Sequence, residues 1–210
     1  MIVIASGQDS ATVPMLAALA ERFALPVLEH RARFVCLPSD HPLHLGYDWL
    51  PAASEADVIL VLESDVPWIP MLEQPKRAVK VIQVGVDPLF RRYPMRSFPA
   101  DLSITSSARA FLPALHEALS KRSSMQTERI ASRRARIASW QREVQARWAE
   151  ERTRDEQSGG AITKVYLNRC LDALKPDDAI VINEYWAMRQ HLCFTQAGTY
   201  FQYPAVGALG

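Results

Sequence analysis

Asp57-Val58-Ile59-Leu60-Val61-Leu62 is the strongest strand signal in this sequence. Its apolar residues follow one another without a polar face, which is typical of a strand buried on both sides in a parallel sheet. Shorter apolar runs lie on either side of it along the chain, at residues 2–5, 26–28, 79–84 and 101–104. The sequence therefore predicts a sheet of short, buried strands in its first half.

Helical segments alternate with these strands. Residues 12–23 read TVPMLAALAERF, with apolar side chains at three- and four-residue intervals and Pro14 at a first-turn position. A further helix is predicted at about residues 107–120. Because strands joined through helices form βαβ crossovers, we expect an α/β fold with a doubly wound, mainly parallel, Rossmann-like sheet.

The composition is that of an ordinary globular protein. The 210 residues are 49% hydrophobic and 22% charged, with a formal net charge of +1, so no strong field attracts nucleic acid or an anionic membrane. Cys36, Cys170 and Cys193 are far apart and lack metal-ligand spacing, which indicates reduced thiols. No apolar run is long enough to span a membrane, and the first residues do not resemble a signal peptide. We expect a cytoplasmic protein without nucleic-acid or membrane partners.

Two loops beyond the carboxyl ends of predicted strands are candidates for nucleotide binding, because ligands of doubly wound sheets bind there. Gly7 and Gln8 lie in the loop SGQDS, just before a helix whose N–H groups could hold a phosphate. Asp87 lies in the turn GVDP after the run at residues 79–84. A plain turn is the competing interpretation in both places and is favoured, because the first loop has one glycine and Asp-Pro is a turn signal.

Two further loops carry polar and aromatic residues of the kinds found in binding or metal sites. After the run at 57–62, we expect Ser64 or Asp65 to cap a helix and Trp68 to cover the core. His41 and His44 lie three residues apart, but the surrounding prolines predict an irregular loop and no third metal ligand is apparent. A structural role is favoured for both loops, and no metal site is assigned.

Residues 121–158 predict a long, charged helix. They contain no glycine or proline, and a thin apolar stripe includes Ile137, Trp140 and Trp148. Its arginines are balanced by later acidic residues, which favours a surface helix over a nucleic-acid-binding one. Since a glycine pair follows the helix, we expect a domain at residues 1–122, a helical linker at 123–160 and a second α/β segment at 161–210.

Several motifs in this order resemble the thiamine-diphosphate-dependent enzymes of the acetolactate synthase and benzoylformate decarboxylase type. ADVILVLESDVPWIP (56–70) and KVIQVGVDPLFRRYP (80–94) resemble the central domain of that superfamily, as do the opening IVIASGQDS (2–10) and the loop LPSDHPLHLGYD (37–48). A helix, the strand AIVINE (179–184) and GTYFQYPAVGALG (198–210) resemble the start of its diphosphate-binding domain. The resemblance covers nearly the whole chain.

The resemblance implies a parent enzyme that uses thiamine diphosphate and Mg²⁺ to decarboxylate or ligate 2-keto acids. It places the diphosphate against the turn formed by Glu184, Tyr185, Trp186, Ala187 and Met188. A helix expected after that turn would direct its N–H groups at the anion. Relatives act as homodimers or homotetramers, and some carry FAD or ADP on the central domain, which is not favoured here.

The resemblance also implies that these residues hold part of a site. The family's activating glutamate belongs to a preceding domain, and the Gly-Asp-Gly sequence that holds Mg²⁺ is absent from this sequence. We therefore expect the 210 residues alone to be inactive. The alternatives are a self-standing module that binds ADP or FAD, and an element that mediates oligomerisation.

Overall fold

The structure, a computed structural model, describes residues 2–5, 9–48, 51–94, 98–123, 127–159, 162–184 and 187–202. Helices and strands follow one another along the chain in the order expected for an α/β protein. They are β1 (Ile2–Ala5), α1 (Thr12–Phe23), β2 (Val27–Leu28), α2 (Pro51–Ser54), β3 (Val58–Leu62), β4 (Lys80–Gly85), β5 (Leu102–Thr105), α3 (Ala108–Ser123), α4 (Thr127–Gln157), α5 (Lys164–Leu174), β6 (Val181–Asn183), a 3-10 turn (Arg189–His191) and β7 (Tyr200–Gln202).

The first five strands form one parallel sheet in the order β2-β1-β3-β4-β5. Its register pairs Ile4 of β1 with Val61 of β3, and Val61 in turn with Gln83 of β4. This is a doubly wound order whose direction reverses between β1 and β3, where such folds form a ligand crevice. The predicted α/β class is confirmed, and each predicted strand lies within a residue or two of its observed position.

The core lies between this sheet and the helices beside it. Strand β3 is buried along Ile59–Leu62, as its unbroken apolar run predicts. Helix α1 contributes Leu16, Leu19, Ala20 and Phe23 to the same cluster, which explains its periodic spacing. Helix α3 lies against α1 and adds Leu112.

The elements from β1 to α3, within residues 2–123, are called the first unit below. Helix α4 packs on the first unit through the thin stripe that the sequence predicts. Its buried side chains are Ile137 and Val144, while Trp140 and Trp148 are partly buried against the core. Arg133 donates hydrogen bonds to the carbonyl oxygens of Phe23 (2.6 Å) and Ala24 (2.8 Å) at the end of α1. These are carbonyls that a helix leaves without an internal partner, so the arginine caps α1 from a distant element.

Residues 162–202, called the second unit below, contain α5, β6 and β7. Strands β6 and β7 are parallel, with Ile182 opposite Phe201. The buried cluster of this unit comprises Leu192, Phe194 and Tyr200, together with Val35 from the first unit. The boundaries near residues 122 and 160 stay a prediction. None of the helices in the described parts of the chain combines the length and the apolar character that a membrane span requires.

Candidate functional site

Glu63, in the turn after β3, caps the start of helix α3, which lies much later in the chain. Glu63 Oε1 accepts a hydrogen bond from the N–H of Ala108 (2.8 Å), the first residue of α3. The prediction that Ser64 or Asp65 caps a helix is wrong, because the described residues between β3 and β4 contain no helix. Asp65 instead accepts from Arg33 (2.9 Å). Trp68 is buried in the core, as predicted.

Of the three residues predicted to contact a nucleotide, the structure describes Asp87. Gly7 and Gln8 lie outside the described residues. Asp87 Oδ2 accepts from the N–H of Arg91 (3.1 Å), so this carboxylate closes the turn after β4. At the same edge of the sheet, Arg109 lies 3.4 Å from the carboxylate of Asp9. The nucleotide assignment stays a prediction, and two of the cations at this edge, Arg91 and Arg109, already face carboxylates.

The loop histidines have structural roles. His41 Nδ1 accepts from the N–H of Leu43 (3.1 Å), and His44 Nδ1 accepts from the N–H of Gly46 (3.0 Å). Among the described residues, no cluster of three or more His, Cys, Asp or Glu side chains is placed to hold a metal ion.

The segment predicted to face a diphosphate leads into a single 3-10 turn. Glu184 follows β6 and is partly buried, while Tyr185 and Trp186 lie outside the described residues. Ala187 packs against the cluster of the second unit. The predicted helix is absent: residues 189–191 form a three-residue 3-10 helix. That correction removes the helix N-terminus as an argument for an anion here, because one short turn supplies little dipole.

Asn168 of α5 holds the end of this segment. Its side-chain oxygen accepts the N–H of Met188 (3.1 Å), and its Nδ2 donates to the carbonyl of Lys164 (2.7 Å). The N–H of Met188 is therefore engaged within the protein. With this N–H occupied and no cation among the described residues of 184–188, those residues do not by themselves form a complete site for thiamine diphosphate or Mg²⁺.

A buried ion pair that the sequence analysis missed lies directly after this segment. Arg189 Nη1 is 2.7 Å from Glu29 Oε2, and their side chains are 6% and 0% exposed. Burial raises the pKa of Glu29, but the Arg189 guanidinium and His44 outweigh it and hold that pKa at about 2, below the ordinary 4.5. Both groups are thus charged at neutral pH. The available signal was a single carboxylate, Glu29, directly after the apolar strand β2.

Aromatic rings enclose the arginine of this pair. The guanidinium carbon of Arg189 lies 4.5 Å from the ring centre of Tyr47 and 4.4 Å from that of Tyr200. Burial raises the pKa of Tyr47 to about 12, so its phenol stays protonated at neutral pH. The two rings come from different units, and a cation between them is stabilised by both ring faces.

A cleft of about 1180 Å³ lies beside this cluster, between α4, α5 and residues 189–193. Its walls include Trp148, Arg152, Tyr166, Arg169 and His191. His191 Nε2 lies 3.0 Å from Glu151 Oε2 of α4. Burial lowers the pKa of His191, although Glu151 opposes that shift.

A family model matches the first part of the chain, and two solved structures share its fold. Residues 1–115 match the family model described as thiamine pyrophosphate enzyme, central domain. The fold is similar to that of a candidate thiamin diphosphate-dependent enzyme from Mycobacterium smegmatis, with a TM-score of 0.61, 17% identity and 99% of this chain covered. It is also similar to benzoylformate decarboxylase from Polynucleobacter necessarius, with a TM-score of 0.65, 19% identity and 96% of this chain covered.

The chain spans 39% and 36% of the lengths of those two proteins. No match was found among the curated proteins. Identities of 17% and 19% establish a shared fold, while the family model covers more than half of this sequence. The chain therefore belongs to the thiamine pyrophosphate enzyme family, whose central domain it contains.

Proposed function

We propose that this chain is part of a thiamine-diphosphate- and Mg²⁺-dependent enzyme that decarboxylates or ligates 2-keto acids, in the manner of acetolactate synthase. The observation that carries the proposal is the extent of the structural similarity. The family model matches residues 1–115, whereas the similarity to benzoylformate decarboxylase extends over 96% of the chain, and so includes α4 and the second unit. A central domain followed by this particular second unit favours an enzyme over a self-standing module.

Within this proposal, the second unit contributes the diphosphate side of the cofactor site at residues 184–188. The supporting feature is its place: the segment follows the carboxyl end of a parallel strand, where ligands of such sheets bind. Bound thiamine diphosphate would supply the electron sink for the carbanion left after decarboxylation. The described residues do not complete that site, so the cation and further contacts must come from other residues.

Assembly and location belong to the same proposal. We assign the parent enzyme to a homodimer or homotetramer in the cytoplasm. Apolar side chains on α5 and β6 support further packing partners, since Leu174 and Ile182 are 82% and 78% exposed. The free thiols Cys36, Cys170 and Cys193 support a reducing compartment.

Calorimetry tests the proposed function. The full product of the gene is titrated with thiamine diphosphate in the presence and absence of Mg²⁺, and then assayed for release of CO₂ from a panel of 2-keto acids. We expect Mg²⁺-dependent binding and turnover of at least one acid. A full-length protein that binds no thiamine diphosphate would refute the proposal. The 210-residue chain, which lacks Gly-Asp-Gly, is expected to show no turnover.

The second candidate function is an ADP- or FAD-binding module. The reversal of strand order between β1 and β3 favours it, because doubly wound sheets bind nucleotides at that point. The same calorimetry with ADP and with FAD separates the two: tight nucleotide binding without thiamine diphosphate binding would favour the module.

A further inference from the structure

The second unit contacts α4, as in the His191–Glu151 pair, and contacts the first unit through a loop of that unit. Residues 29–47, called the docking loop here, contribute several backbone contacts to residues 189–202. Ser39 and Phe194 exchange two hydrogen bonds, from Ser39 N–H to Phe194 O (2.9 Å) and from Phe194 N–H to Ser39 Oγ (3.2 Å). The N–H of Gln202 in β7 donates to the carbonyl of Arg33 (2.7 Å). These contacts require the docking loop to keep one shape.

Glu29 helps to maintain this shape. Its Oε1 accepts the N–H groups of Cys36 (2.8 Å) and Leu37 (2.7 Å), which folds the docking loop back on its start. Its Oε2 faces Arg189 of the second unit at 2.7 Å. One buried carboxylate therefore serves both sides of the interface.

The second unit has a small buried apolar cluster, which contributes little to its stability. Its buried cluster has three members, Leu192, Phe194 and Tyr200, and needs Val35 of the docking loop. Leu167 and Leu174 on α5 are more than half exposed. A buried arginine left without its carboxylate is strongly unfavourable, so docking of this unit depends on the charge at Glu29.

We propose that the Glu29–Arg189 pair is an electrostatic lock between the two units: residues 189–202 stay docked while Glu29 is charged, and undock when that charge is lost. Arg189 directly follows the segment 184–188, so the lock acts together with Asn168 in placing the end of that segment. The proposal concerns docking and does not require that the segment bind a cofactor.

Hydrogen exchange measured by mass spectrometry on the full chain tests the lock. Glu29→Gln keeps a side-chain oxygen for the N–H groups of Cys36 and Leu37 but removes the charge facing Arg189. We expect exchange in peptides covering residues 189–202 to accelerate roughly 100-fold, because the loss of a buried partner favours local opening. Peptides covering β3 and β4 are expected to exchange as in the unaltered chain.

Glu55→Gln is the matched control. It removes a carboxylate that also pairs with an arginine distant in sequence, Arg136 at 2.8 Å, but this pair is half-exposed and lies outside the docking loop and residues 189–202. It is expected to leave residues 189–202 unchanged, since exposed pairs contribute little. Equal exchange in both variants, or equal acceleration across β3 and residues 189–202 in Glu29→Gln, would overturn the lock.

A second variant separates charge from packing. In Glu29→Gln combined with Arg189→Met, no unpaired charge remains, and the methionine can lie between the rings of Tyr47 and Tyr200. Because removal of both members of a buried pair is often neutral, we expect protection of residues 189–202 to recover to within about tenfold of the unaltered chain. A double variant as open as the single one would assign the effect to packing and overturn the proposal.

Discussion

Gly46→Ala should destabilise the protein strongly, although the substitution adds only one methyl group. Gly46 has φ of +93°, a conformation that an L side chain adopts only under strain. A Cβ built there would lie 2.9 Å from Cζ2 of Trp148 on α4. Backbone strain of about 1–2 kcal/mol and overpacking of about 1–3 kcal/mol predict a loss of about 2–5 kcal/mol in the free energy of unfolding.

Gly198→Ala is the control that isolates the contact with Trp148. Gly198 has φ of +82°, but an added Cβ would meet no atom within 4 Å, so the backbone strain of about 1–2 kcal/mol is expected alone. Urea denaturation followed by circular dichroism measures both variants. Trp148→Leu should relieve part of the cost of Gly46→Ala, a coupling that a double-mutant cycle reports. Equal costs at the two glycines would refute close packing of α4 on the docking loop.

Two further predictions concern the core and the buried carboxylate. Ile137→Ala leaves a cavity at a fully buried position on α4 and should lower the free energy of unfolding by about 2–5 kcal/mol. Its control, Ile162→Ala, changes a side chain that is 81% exposed and should lower it by less than about 0.5 kcal/mol. Urea denaturation compares the two variants, and equal losses would contradict packing of α4 on the core. The folded-state pKa of Glu29, about 2, lies below its ordinary 4.5, so its charge contributes stability above pH 4.5 that is lost as the pH falls towards 2. The contribution is about 3 kcal/mol, and Glu29→Gln should flatten the fall in stability between pH 6 and pH 3; an unchanged pH dependence would contradict the assigned pKa.

The short strands and α1 could be predicted because their burial leaves a local pattern. Strand β3 is covered on both faces, so every residue from Ile59 to Leu62 is apolar, while α1 meets the core along one stripe and repeats its apolar residues with the period of a helix. The order of these elements was enough to predict a parallel α/β sheet, and the motifs at residues 56–70 and 80–94 carried a family resemblance that the family model supports.

The candidate site could be predicted only in part because its contacts join distant parts of the chain. Glu63, which precedes α3 by more than forty residues, caps that helix, although the neighbouring Ser64 and Asp65 have the more typical capping side chains. The helix expected after residues 184–188 is a 3-10 turn whose preceding N–H is bound by Asn168 of α5. Glu63 and Asn168 are both distant in sequence from the segments that they contact, so the residues beside those segments do not reveal these hydrogen bonds.

The sequence by itself therefore determined the fold class and the positions of the strands β1 to β5, because these follow from side-chain patterns along a continuous stretch. Its motifs carried the resemblance to the family that the family model matches. Only the tertiary structure determined that Glu29 pairs with Arg189 and that Tyr47 and Tyr200 enclose the arginine. The energy of a charge pair depends on the distance between its atoms and on their removal from water, and both are set by the folded chain.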